Sequence, residues 1–394
     1  MAEMCNDADF SIRAIFCYFV TDWLDKKIFS DIIGIVKVPG QICLKIFFIT
    51  RQISDMKKAD QEENSRNLRI SQFLIKMSVI ILAVGIVVFL WGSNVLFLKA
   101  CIRRETPWPD LGKADEVEYE ELIDAYNIKR EINESIIISA EDGMKLAGNY
   151  YERKKEAPVV LFFHGLWSHS AVDGVAIYRI TKEMNWNLLL VMSRAHDESG
   201  GTIATLGIRE RYDCRDWAEW AADRFGENTP LFLMGISMSG AAVMMSSNLD
   251  LPDSVCGIIE DCGYISPMEM ITLNAVEKLP RWFPEGIFKI FMEAGTRIYG
   301  HFSLYEADAG KALSETNVPI LIIHGDKDCT APVSMAYSLY HQCRSEKELF
   351  IVHGADHAES YRTDPEKYKR TVSKFLKKYA AVYIQKKNMQ NGIY

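Results

Sequence analysis

The sequence predicts an α/β chain: a mostly parallel sheet with helices on both faces, preceded by one transmembrane helix. Three observations carry this. From Ile136 onward, short apolar runs alternate with helical stretches, the pattern of parallel neighbours joined by crossovers. Met77–Leu98 is 22 residues long without a charge, enough at 1.5 Å per residue to cross a hydrocarbon core of roughly 30 Å. Several of the apolar runs end in His, Ser or Asp beside glycine, which places polar chemistry at the carboxyl ends of strands. The 394 residues carry a net charge of −8, with 48% hydrophobic and 25% charged residues. That balance argues against a nucleic-acid partner and excludes wholesale disorder, collagen-like repeats and a multi-span transporter.

The elements follow in chain order. Residues 1–76 read as a helical or juxtamembrane segment. Ile12–Leu24 and Ile28–Ile49 are apolar, but Asp31, Lys37, Pro39-Gly40 and Lys45 break the second as a span. Amphipathic helices on a membrane surface and a small helical hairpin both fit. Ser54–Arg69 is polar throughout. Residues 77–98 form the single span of a cell-membrane protein. The alternative, a buried core helix, is usually shorter and carries a polar stripe. Lys57, Lys58, Arg66, Arg69 and Lys76 precede it, against Lys99, Arg103, Arg104 and Lys113 after it. This count, with the acidic excess lying beyond the span, favours a cytosolic amino-terminal part and an extracytoplasmic remainder. Nine scattered cysteines without a CxxC pair form neither a disulfide framework nor a zinc site. They lean toward a reducing compartment or buried thiols, which runs against that orientation.

Residues 99–134 read as a linker, 135–382 as the α/β domain and 383–394 as a tail. Ile136–Ile138 and Leu146–Tyr151 form an opening hairpin around Glu141-Asp142-Gly143. Pro158–Phe163, Asn187–Val191, Pro230–Met234, Val255–Ile259, Val318–Ile323 and Glu348–Val352 are the remaining strands. Ala171–Glu183, Glu210–Arg224, Ser239–Ser247, Pro332–His341 and Pro365–Lys378 supply the helices. Between residues 263 and 315 the strand pattern stops. Met268, Met270, Leu279, Trp282, Phe283, Phe288, Phe291 and Met292 there suggest a small helical cap, either an apolar lid for a hydrophobic substrate or simply its own packing core.

Three strand ends carry the residue types of nucleophilic acyl transfer. Gly235-Ile236-Ser237-Met238-Ser239 sits where a strand meets a helix, and a serine in so sharp a turn exposes its hydroxyl, with small neighbours two residues either side. Ser239 as nucleophile would lie inside the helix. His324-Gly325-Asp326-Lys327-Asp328 and His353-Gly354-Ala355-Asp356-His357 follow two later strands. The order Ser, Asp, His is that of an α/β hydrolase: Asp328 orients an imidazole and His357 takes the serine proton. Asp326 reads as a turn residue, His324 and His353 as strand-end packing. The loop after Phe162-Phe163-His164-Gly165 supplies a backbone N–H to pair with that of Met238 around an oxyanion, and Trp167 beside it is the candidate substrate contact.

From Glu116 to Tyr379 the chain resembles the membrane-anchored α/β hydrolases of Gram-positive bacteria, in the serine-aminopeptidase and prolyl-oligopeptidase-like group. The strings that carry this are ISAEDGMKLAGNYY, VVLFFHGLWSHS, SRAHDESGG, LGIRERYDCRDWAEW, LMGISMSGAAVMM, GIIEDCGY, PILIIHGDKDCTAPVSM and VHGADHAESY. The resemblance implies Ser237, Asp328 and His357 as a triad and Leu166 and Met238 as oxyanion donors. The sequence departs from it at Ser239, where glycine is usual, and at Asp197, where Arg-x-His-Gly is usual. The expected function is carboxylic ester hydrolysis by a serine hydrolase acting on a small-molecule ester or short acyl or peptidyl substrate, with no cofactor and no metal. A peptidase or amidase and a non-catalytic membrane scaffold are the alternatives.

Overall fold

The computed structural model describes residues 65–113, 116–276, 278–280 and 283–390. The readings for residues 1–64, and for Trp282 in the cap, lie outside the described residues. The chain forms two units. One contains the first helix up to Leu98 together with Ile290–Gly295; the other contains Lys99–Lys289 and the chain from Thr296.

In the first unit, helix α1 spans Ser65–Cys101. Its Ser71–Cys101 stretch is long and apolar enough to cross a membrane, and the predicted 77–98 span lies inside it. Ile81, Leu82, Val84, Val88 and Trp91 are exposed, which a core helix would not tolerate along its length. The helix begins earlier than the apolar run because nothing in Ser65–Lys76 breaks it. Two glycines let Ile290–Gly295 approach it closely. A Cβ at Gly92 would come within 2.7 Å of the Phe291 ring, and one at Gly295 within 2.3 Å of the Ser93 carbonyl oxygen.

The second unit is built on eight strands: β1 (Glu134–Ser139), β2 (Lys145–Tyr151), β3 (Val159–Phe163), β4 (Asn187–Val191), β5 (Leu231–Ile236), β6 (Val255–Asp261), β7 (Ile320–Gly325) and β8 (Lys347–Val352). Their order in the sheet is β1-β2-β4-β3-β5-β6-β7-β8. Strand β2 runs antiparallel to β1 and β4, and every pairing from β4 to β8 is parallel. The central β3, β4 and β5 are buried along their whole length, as continuous apolar runs covered on both faces should be.

The helices of this unit are α2 (Glu116–Arg130), α3 (Ser170–Asp173), α4 (Val175–Met184), α5 (Glu210–Phe225) and α6 (Met238–Ser246). They continue as α7 (Pro267–Val276), α8 (Glu285–Gly295, whose last turn and a half belongs to the first unit), α9 (Ala309–Glu315), α10 (Ser334–Gln342), α11 (Ser360–Thr363) and α12 (Pro365–Gln390). One face of the sheet is covered by α2, α4 and α12, where Ile128, Ile180, Phe375 and Leu376 share a core with Val160, Leu188 and Phe232. On the opposite face α5 and α6 pack against β5, and α9 against α6. Two boundaries differ from the sequence reading. The expected linker contains α2, whose buried Leu122, Ala125 and Ile128 form a stripe too narrow to stand out in a charged helix. The expected tail continues α12, where the buried Tyr383 donates its hydroxyl to the Glu227 carbonyl.

Candidate active site

The turn from β5 into α6 holds Ser237 at φ 54°, ψ −117°, a backbone conformation L residues rarely adopt. A Cβ at Gly235 would stand 2.2 Å from the Ser239 carbonyl oxygen, so only glycine lets the turn close. The Ser237 amide donates to the Asp261 carbonyl at 2.8 Å, tying the strained residue to the neighbouring strand. Its Oγ lies 2.7 Å from His357 Nε2, and His357 Nδ1 lies 2.8 Å from Asp328 Oδ2. Since a carboxylate can only accept, Nδ1 carries the proton and Nε2 offers its lone pair to the serine hydroxyl. Asp328 Oδ1 accepts from the Thr330 and Ala331 amides at 2.8 and 2.7 Å. Burial works against the charge on Asp328, but the hydrogen bonds from His324 and His357 outweigh it and hold the carboxyl well below the usual range. The structure thus brings together the three residues singled out from strand ends 120 positions apart in the case of Ser237 and His357.

The loop after β3 is held by groups the sequence gave no reason to select. The Gly165 amide donates to Asp173 Oδ2 at 2.8 Å, and Asp173 Oδ1 also accepts from Ser168 Oγ. The Trp167 amide donates to His196 Nε2 at 2.8 Å. His196 Nδ1 in turn donates to the Arg194 carbonyl, and burial lowers the His196 pKa to about 4, which keeps Nε2 an acceptor. With both neighbours engaged, the Leu166 amide between them donates to no protein acceptor among the described residues. Met238, the first residue of α6, likewise has an amide outside the helix's own ladder. Two N–H groups without a protein acceptor among the described residues are thus those of Met238, next to Ser237, and of Leu166, next to Gly165, where a side chain would begin 3.5 Å from the Ser237 Cβ.

The two departures from the resembled pattern have local explanations. Ser239 is buried, and its hydroxyl donates to the His164 carbonyl, so the extra atom ties the nucleophile turn to the end of β3. Asp197 sits at φ 41°, where glycine is favoured; its Oδ1 pairs with His169 Nδ1 at 2.6 Å, and its carbonyl accepts from Arg103 at 2.6 Å. Trp167 has φ 55°, and its ring is covered by the Arg104 guanidinium, 3.8 Å from the ring centroid, which occupies one face of the indole.

Other predicted residues lie elsewhere. Asp326 and His353 pair with each other at 2.6 Å, with His353 90% exposed, apart from Ser237. His324 is buried, as strand-end packing requires, but it also touches Asp328 at 3.3 Å. Cys262 Sγ lies within 4.8 Å of donor atoms of Asp328 and His357; those two already bond to each other, and burial pushes the Cys262 thiol well above its ordinary value.

Beneath α7 and α8 lies a cavity of about 550 Å³, bounded by Cys329 and Pro332 just after Asp328. Its lining is mixed: Met268 and Leu273 are joined by Ser266, Glu269, Thr272, Glu285, Lys289 and Tyr305. Of the cap residues read as either lid or packing core, Phe288 is buried, and Met268 is buried while also bounding the cavity.

A mostly parallel eight-stranded sheet with a strained serine between its fifth strand and the following helix defines an α/β-hydrolase fold. No family model matches the chain. It is similar to the uncharacterized protein YqkD of Bacillus subtilis (strain 168), 23% identical over 303 residues that cover 75% of this chain and 93% of that protein. Among solved structures it is similar to the esterase Pf2001 of Pyrococcus furiosus, 22% identical with a TM-score of 0.52, covering 63% of this chain and 91% of that one. A second crystal form of the same esterase gives 21% identity and a TM-score of 0.51, covering 63% and 90%. These similarities show the fold.

Proposed function

We propose that the protein is a membrane-anchored serine hydrolase that cleaves carboxylic esters through Ser237, His357 and Asp328. The observation that carries this is the unbroken chain Ser237 Oγ, His357 Nε2, His357 Nδ1, Asp328 Oδ2, with contacts of 2.7 and 2.8 Å. His357 Nε2 takes the serine proton as Oγ attacks the ester carbonyl. The oxyanion that forms is received by the Leu166 and Met238 amides, each worth roughly 10²- to 10³-fold in rate. Collapse of this intermediate expels the alcohol, which takes the proton from His357, and leaves an acyl group on Ser237. Water then repeats the sequence: His357 takes its proton as its oxygen attacks the acyl carbonyl, and collapse breaks the bond to Ser237 Oγ, to which His357 returns the proton as the carboxylic acid leaves. No step needs a cofactor.

The ester preference is supported by the esterase among the similar structures. A second reading, amide or peptide cleavage, is favoured by one observation: Glu269, in the cavity beside Asp328, could hold a charged amine. Turnover of a panel of short acyl esters and amino-acyl amides by the full-length protein in detergent distinguishes the two. Ester turnover well above amide turnover is the expected result; the reverse would replace the leading reading, and no turnover of either would support the scaffold. The single apolar helix supports a single-pass anchor, and the excess of basic residues before it supports an extracytoplasmic catalytic unit. Cys329 is exposed, so labelling by a membrane-impermeant maleimide in intact cells, lost in Cys329→Ser, is expected. Labelling only after lysis would reverse the orientation.

A further inference from the structure

The reading above leaves unused two buried groups behind Asp328. His324 at the end of β7 is fully buried, and its Nε2 lies 2.7 Å from the Ala331 carbonyl and 3.3 Å from Asp328 Oδ2. A carbonyl only accepts, so Nε2 carries a proton and donates it to Ala331, while the ring edge lies 3.3 Å from the same carboxylate oxygen that orients His357. The other ring nitrogen, Nδ1, is buried with no hydrogen-bond partner. Glu260, fully buried on the adjacent β6, has one carboxyl oxygen satisfied by the Gly263 amide at 2.7 Å, and the other, Oε1, buried without a partner. An unsatisfied ring nitrogen and an unsatisfied carboxyl oxygen, buried on neighbouring strands, are costly unless a bridging water carries a proton between them.

We infer that His324 is held as an imidazolium between Asp328 and Glu260, and that it acts as a positioning residue that sets the basicity of His357 through their shared carboxylate. The titratable groups around it support this. Burial opposes charge on His324, but the hydrogen bond to Asp328 and the nearby Glu260 outweigh burial and raise its affinity for a proton. Burial also pushes the Glu260 carboxyl up to about 8 against the pull of His324, so these two groups compete for one proton and Asp328 tips it toward the ring. Asp261 on β6 adds negative charge in the same sense. His357 Nδ1 meets that same Asp328 oxygen at 2.8 Å, and the Cys262 thiol, beside Asp328 and His357, stays uncharged through burial. A positive ring on Asp328 draws its charge away from His357. It therefore makes His357 a weaker base, one that is unprotonated and ready to act at lower pH.

The inference rests on the Ser237 reading, and its test separates the two. Glutamine at position 324 keeps an N–H donor but removes the charge. In full-length protein in detergent, His324→Gln is expected to raise the acid limb of the kcat/KM profile by about half a pH unit or more, as loss of one nearby charge does. Glu260→Gln is expected to shift it by less, in the same direction. A purely structural role would lower the rate at every pH and leave the limb in place. That result, from variants whose melting temperature matches wild type, would overturn the inference. A second readout needs no turnover: in histidine-labelled Ser237→Ala protein, the NMR signals lost in the added His324→Gln variant are expected to show both ring nitrogens protonated at pH 7. A neutral ring would contradict the inference even if the enzyme is active. A charged ring in an inactive protein would uphold the ring's state while removing the hydrolase reading.

Discussion

The two sides of Ser237 differ in what fixes them. On the sheet side, backbone positions are pinned: Gly235 permits the turn, the Asp261 carbonyl holds the Ser237 amide, and the Asp173 and His196 side chains take the amides either side of Leu166. On the cap side, Glu269, Glu285 and Tyr305 are exposed around the 550 Å³ cavity. Their side chains have room to move or be exchanged without disturbing a strand. A rigid frame around the proposed nucleophile and a cap open to exchange is the arrangement by which one fold can serve many substrates.

That contrast can be broken by mutation, with effects expected to fall from sheet to cap. Ser237→Ala should lower kcat/KM by about 10⁴-fold or more, and Asp328→Asn by about 10³- to 10⁴-fold through the wrong imidazole tautomer; steady-state assays with a short acyl ester measure both. Activity retained in either would show that the rigid side is not where the reaction occurs. His196→Ala removes the acceptor for the Trp167 amide and should reduce kcat about 10- to 10²-fold with little change in KM, because a loosened Leu166 amide is felt only by the oxyanion. An effect confined to KM would place the loop in substrate binding instead.

Stability should carry a pH signature from the same side. Asp261 accepts from Ser360 Oγ and Tyr368 Oη, and burial raises its pKa to about 6, above an unfolded value of about 3.9. A raised folded pKa contributes stability that is complete below about pH 4 and lost as pH rises through about 6, amounting to up to about 3 kcal/mol. Thermal melts between pH 4 and 7.5 should therefore slope downward more steeply in wild type than in Asp261→Asn. Equal slopes would mean that Asp261 ionises as freely in the folded protein as in the unfolded chain. The smallest effect is expected in the cap: Glu269→Gln should change KM for a neutral ester by no more than about 3-fold and leave kcat unchanged. A large loss with amine-bearing substrates alone would sharpen the cap's role toward amide recognition.

What the sequence revealed follows the same division. The strands were legible because β3, β4 and β5 are uninterrupted apolar runs, and Ser237 was legible because a strained turn demands small residues at fixed spacing. Asp328 and His357 were readable as strand-end residues in a fixed order. His196, Asp173 and Arg104 were not, since their partners in the Leu166 loop are chosen by tertiary packing and leave no local pattern. The nearest available signal was the histidine in SRAHDESGG. The helix at Glu116–Arg130 hid for a related reason: Leu122, Ala125 and Ile128 are the buried minority of a polar segment. The apolar cap residues were visible, but composition alone could not tell lining from packing: Phe288 is buried in the cap, and Met268 is both buried and part of the cavity wall.

The most direct test of the central claim is to treat the full-length protein in detergent with a fluorophosphonate and map the adduct by mass spectrometry. The expected result is one adduct on the peptide containing Ser237, abolished in Ser237→Ala and strongly slowed in His357→Ala. Labelling on another residue, or none in protein shown to be folded, would contradict it.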